Sequence, residues 1–164
     1  MSKRAGRTSQ GANDFLAPYA PTIGTATNVG TSRAYNDGAA TVTFTPDSRN
    51  AATSYTVTAS TGQTATGSSS PITVTGIAST ATPTFTVTAT NSYGTSSASS
   101  ASNQVTITTV PDAPSAPSVT SPTPSSGTNV AGASYDVVTW SAPANGGSSI
   151  TGYKLYDNGD RKST

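Results

Sequence analysis

Five times in this chain an apolar residue alternates with threonine for three to five positions, and turn residues then interrupt the pattern. The runs are Ala40-Thr41-Val42-Thr43-Phe44, Tyr55-Thr56-Val57-Thr58-Ala59, Ile72-Thr73-Val74-Thr75, Phe85-Thr86-Val87-Thr88-Ala89 and Val105-Thr106-Ile107. Successive side chains of an extended strand point to opposite faces, so each run places its apolar members on one side and its threonines on the other. Threonine is β-branched and polar, which suits the watered face of a pleated sheet. Short alternating runs closed by turn residues predict an all-β sandwich or barrel. Two sheets laid face to face would bury all of these apolar residues. No stretch spaces its apolar residues by three and four over ten positions, so no helix of useful length is predicted.

Composition separates this reading from disorder. Only 32% of the residues are hydrophobic and 9% charged, and Ser, Thr, Ala and Gly fill the remainder. Disordered chains typically combine high net charge with few β-branched residues, whereas this chain has a net charge of +1 and abundant Thr and Val. The 164 residues accommodate one sandwich of roughly 100 residues and part of another. Met1 is followed by basic Lys3, Arg4 and Arg7 but by no apolar run, so no cleaved secretion signal is expected. Nothing approaches the ~20 apolar residues of a membrane-spanning helix.

The turn chemistry divides the chain. Residues 1–17 show no alternation and read as an extended arm with one apolar pair, Phe15 and Leu16. Residues 18–108 hold the alternating runs and read as one complete sandwich. Prolines at 111, 114, 117, 122 and 124 mark a boundary, because proline blocks ladder pairing and stiffens a linker. Residues 109–117 are read as that linker and the start of the next module, and residues 118–164 as an incomplete second sandwich.

These runs, in this order, resemble fibronectin type III domains, members of the immunoglobulin-like β-sandwiches. Residues 18–23 look like the proline-rich opening strand, Phe44 stands where the family has its core tryptophan, and Tyr55-Thr56-Val57 is similar to the third strand. The most specific match is Phe85, Val87, Ala89, Asn91 and Gly94, an alternating core strand with its Asn-x-x-Gly turn. A second copy begins at Pro111-Asp112-Ala113-Pro114 and carries the tryptophan itself in Val138-Thr139-Trp140, followed by Ile150-Thr151-Gly152-Tyr153. Pro83 falls where the family's tyrosine corner would be, so that hydrogen bond must be missing or replaced. The second copy reaches Thr164 after about three strands, which would leave Trp140, Ile150, Tyr153 and Leu155 without an opposing sheet. The expectation is that these residues belong to a longer polypeptide or that a neighbour supplies the missing strands.

Catalytic chemistry is sparse. The chain has no His, Cys or Glu, which removes the usual general bases, thiolate nucleophiles and soft metal ligands. Its seven acidic residues are all Asp, several at turns: Asp37 precedes Gly38, Asp47 follows Pro46, and Asp112 lies in the linker. Asp157-Asn158-Gly159-Asp160 could open a calcium loop but lacks its alternating acids, and a hairpin turn on Asn158-Gly159 is favoured. The chain is therefore read as a non-enzyme with no cofactor or metal.

The arm offers the candidate partner-anchoring residues: Lys3, Arg4, Arg7, Phe15, Leu16 and Tyr19. They could dock into a larger protein assembly, pack back on the first sandwich, or remain solvated. Three cations without interleaved aromatics are a weak nucleic-acid signature. Tyr35, Tyr93, Tyr135 and Tyr156 lie near turns, where exposed aromatics can stack on sugars or proteins. The resemblance, with a charge-poor and cysteine-free composition, implies a structural protein of a bacteriophage virion. It would be a capsid decoration protein, head fibre or tail appendage held by the arm, with virion proteins as partners and a host-surface glycan or protein as a distal one. The alternative is a bacterial surface adhesin, or the spacer modules of a secreted polysaccharide-active protein, located outside the cell.

Overall fold

The computed structural model describes residues 16–120, 136–157 and 160–163. Among them there is no helix, and every paired strand is antiparallel. The first sheet contains β1 (Thr22–Asn28), β2 (Gly38–Thr45) and β5 (Ile72–Ile77), in the order β1-β2-β5. The second contains β3 (Ser54–Ala59), β4 (Thr64–Gly67), β6 (Phe85–Asn91) and the short β7 (Gly94–Thr95), in the order β4-β3-β6-β7.

The alternating runs set the inward faces of both sheets. Ala40, Val42 and Phe44 of β2, Tyr55, Val57 and Ala59 of β3, and Phe85, Val87 and Ala89 of β6 are buried in one core with Ile72, Val74 and Ile77. Phe44 and Tyr55 meet across the sheets with ring centroids 4.9 Å apart. On the outer faces the threonines pair in register, Thr41 with Thr73 at 3.0 Å and Thr56 with Thr66 at 3.1 Å between hydroxyls. Such cross-strand pairs stabilise a sheet without needing charge.

Two register shifts adjust the period. Ile77 returns to the core one position out of phase with Val74, because Gly38 and Ala40 of β2 oppose Ile77 and Val74 of β5. The extra residue is accommodated at Gly76, whose φ of +71° lies in the left-handed region that glycine enters without steric cost. A second shift lies between Ile23 and Ala26 of the edge strand β1.

The chain after β7 differs from the expectation of a regular last strand at Val105-Thr106-Ile107. Val105 and Ile107 donate to the carbonyls of Pro83 and Ala81 at 3.1 and 2.9 Å, but the run beside β6 already begins at Ser96 and never becomes a regular strand. Pro83 is fully buried, and its carbonyl accepts from Val105.

Beyond the linker, β8 (Ser118–Thr120) pairs with β9 (Val137–Thr139), and β10 (Leu155–Asp157) with β11 (Asp160–Ser163). Asp157 opposes Asp160, the pairing of a two-residue hairpin loop, while Asn158 and Gly159 themselves lie outside the described residues.

Candidate functional site: the two ends of the sandwich

At one end of the first sandwich, loops after β2 and β6 hold the chain that leads into β1. The side-chain amide of Asn91 donates to the Leu16 carbonyl at 3.0 Å, and that of Asn50 donates to the Ala17 carbonyl at 3.1 Å. Pro18 and Pro21 are buried beside them. Gly94 approaches so closely that an added Cβ would sit 3.3 Å from the Ala17 methyl group. Asn50 is buried, and its Oδ1 has no hydrogen-bond partner among the described residues.

Tyr19 lies beneath a charged clamp. The Arg49 guanidinium sits 3.7 Å from the centroid of its ring, a cation–π contact. Two nitrogens of the same guanidinium reach the Asp47 carboxylate at 2.9 and 2.7 Å, and the Arg49 backbone N–H donates to Asp47 Oδ1 at 2.9 Å. The side-chain bonds and then the backbone bond hold the Asp47 carboxyl down at about 2. This pair is solvent-facing, so it orders the loop more than it stabilises the fold.

Of the anchoring candidates, Leu16 and Tyr19 are brought to this end, with Leu16 presenting an exposed side chain and Tyr19 stacking on the sandwich's own Arg49. Lys3, Arg4, Arg7 and Phe15 lie outside the described residues, as does Tyr135. Tyr93 and Tyr156 are exposed.

The opposite end meets the turn at residues 144–148. Thr109 is fully buried; its N–H donates to the Gly146 carbonyl at 2.8 Å and its hydroxyl bonds that of Ser79 at 2.6 Å. Val110 donates to the Arg33 carbonyl at 3.0 Å, and Asp112 to the Ala144 carbonyl at 2.9 Å. Residues 109–112 are therefore bonded alternately to the turn at 144–146 and to the loop at Arg33. Arg33 is itself fixed by Asp37, through the carbonyl and the carboxylate, each at 2.6 Å. Gly146 has a φ of +63°, and a Cβ there would fall 2.5 Å from both Thr109 Oγ1 and the Val110 carbonyl oxygen. Only glycine satisfies both demands.

Past the junction, Trp140 and Tyr153 form an edge-on pair with centroids 5.4 Å apart. They line a groove of about 710 Å³ together with Pro114, Pro117, Val138 and Leu155. Trp140 remains 43% exposed there.

Three carboxylates are occupied by local geometry: Asp37 and Asp47 by arginines, and Asp112 by the N–H of Ala113 at 2.8 Å. Among the described residues no three acidic, His or Cys groups gather as a metal site. Sequence reasoning read Asn91 only as a turn residue and missed Asn50, Thr109 and Gly146 as contact residues. For Gly146 the Asn145-Gly146-Gly147 turn was a visible signal, whereas polar Thr109 gave no sign of its burial. No protein-family model matches the chain, and a search of curated proteins finds no relative.

Proposed function

We propose that the chain is a non-enzymatic structural element of a bacteriophage virion, built of fibronectin type III-like modules, tethered by its arm and projecting its second module outward. One observation carries this reading: the root of the arm and the module junction lie at opposite ends of the first sandwich. β2 begins at Gly38 beside Thr109 and ends before Asn50, so its eight residues separate the two ends by roughly 25 Å at the ordinary rise of a strand. A module held at one end and linked rigidly at the other is a spacer. Its outer faces present threonine rather than charge, so closely packed copies would not repel one another. The division of strands, with β1, β2 and β5 on one sheet and β3 and β6 on the other, supports the family resemblance because it follows immunoglobulin-type sandwiches.

The test is location. Mass spectrometry of purified particles should detect the chain, and deleting residues 1–15 should remove it from particles while the sandwich still folds. Recovery only in a bacterial cell-wall fraction would replace this reading with the adhesin.

A further inference from the structure

Residues 96–103, Ser-Ser-Ala-Ser-Ser-Ala-Ser-Asn, lie along the outer edge of β6 in an arrangement unlike either neighbouring sheet. Ala89 donates its N–H to Ser96 Oγ and its carbonyl accepts from the Ser96 N–H, at 2.9 and 2.8 Å. Val87 repeats this with Ser99 at 3.0 and 2.9 Å, and Phe85 with Ser102 at 3.0 and 2.9 Å. The segment advances three residues for every two of β6. Each serine hydroxyl stands where a partner strand's carbonyl would be, and passes its own proton to the carbonyl of the next residue: Ser97, Ser100 and Asn103, at 2.7, 2.8 and 2.8 Å. Burial follows the same period, with the three bonding serines half-buried and the residues between them exposed.

Asn103 turns the other way. Its Oδ1 accepts from the Ala26 N–H at 2.9 Å and its Nδ2 donates to the Ala26 carbonyl at 3.0 Å. A side-chain amide thus makes, on the edge of β1, both bonds that an additional strand would make. One short segment therefore covers an edge of each sheet using side chains.

An open edge of unpaired N–H and C=O groups is a template for another chain. We propose that residues 96–103 are an edge guard, blocking strand addition between copies on this side of the sandwich. An incoming regular strand meets a neighbour whose repeat is three against its own two, and whose carbonyls at 97, 100 and 103 already accept hydroxyl protons. On β1 it finds Ala26 already paired. The inference goes beyond the proposed virion role and holds wherever copies are crowded.

The test removes one guard while leaving the core intact. In the full chain, Asn103→Ala should keep its cooperative melt, speed amide exchange at Ala26 by about tenfold or more, as expected for an amide that loses its partner, and give concentration-dependent association in sedimentation velocity beyond that of the parent. Val57→Ala, which weakens the core but removes none of the hydrogen bonds made by residues 96–103, should not associate more than the parent. Ser99→Ala provides a second reading at Val87, and stands in if Asn103→Ala does not fold. A folded Asn103→Ala chain with faster Ala26 exchange that sediments like the parent would overturn the proposal, as would equal association by Val57→Ala.

Discussion

The first module and the second carry the same aromatic pair in two different conditions. Phe44 and Tyr55 stand 4.9 Å apart with 5% and 7% of their surfaces exposed, while Trp140 and Tyr153 stand 5.4 Å apart with the tryptophan 43% exposed. The flanking residues repeat as well, Val42-Thr43-Phe44 against Val138-Thr139-Trp140. What differs is the cover. In the first module β5 and β6 bring Ile72, Val74, Phe85 and Val87 over the pair, whereas no corresponding strands stand over Trp140 among the described residues. An aromatic pair and its strand can therefore take shape locally, but burial, and with it most of the stabilisation, comes from the strands that arrive later in the chain.

This contrast is broken most sharply by truncating one aromatic in each half. Phe85→Ala removes a fully buried ring and should cost about 3–5 kcal/mol, comparable with the whole stability of a small domain. Trp140→Ala should leave the urea-derived unfolding free energy of the first sandwich within the ~0.5 kcal/mol typical of exposed sites. Equal losses would mean that the two halves fold as one.

Coupling between the halves is tested at the junction. Gly146→Val forces a β-branched residue into a positive φ and against Thr109, which should cost about 1–3 kcal/mol of local strain. Nitrogen-15 relaxation should then show the residues around Trp140 tumbling with less coupling to the first sandwich than in the parent. At the other end, Asn91→Ala should loosen Leu16 by about 1 kcal/mol, seen as faster proteolysis before Pro18 with an unchanged melt of the core.

The smallest effect is electrostatic. The Asp47 carboxyl is lowered to about 2, so whatever its bonds to Arg49 contribute is complete above the ordinary carboxylate range and is lost as pH falls through about 2. Carbon-13 titration should place its midpoint there, and Arg49→Ala should return it upward.

These differences also show what was legible in the sequence. Runs such as Phe85-Thr86-Val87-Thr88-Ala89 reveal a strand because one face must be dry, and their residues are the core. The segment at 96–103 reads as low complexity because its pairing depends on serine hydroxyls at every third position, a pattern that leaves no hydrophobic trace. Asn50 and Asn103 were silent for a related reason, and Asn91 was legible only as a turn residue. An asparagine that replaces a backbone partner is indistinguishable in sequence from one in a turn, until the chain it grips has been brought alongside. The short β4, with only small residues between Thr64 and Gly67, was equally invisible.

Because the chain contains a single tryptophan, the exposure of Trp140 against the buried Phe44 can be read directly. Iodide quenching of Trp140 fluorescence in the folded 164-residue chain should be strong, with emission toward the wavelength of hydrated indole. A blue-shifted, protected Trp140 in that chain would contradict the account, because the second module would then have covered its own core.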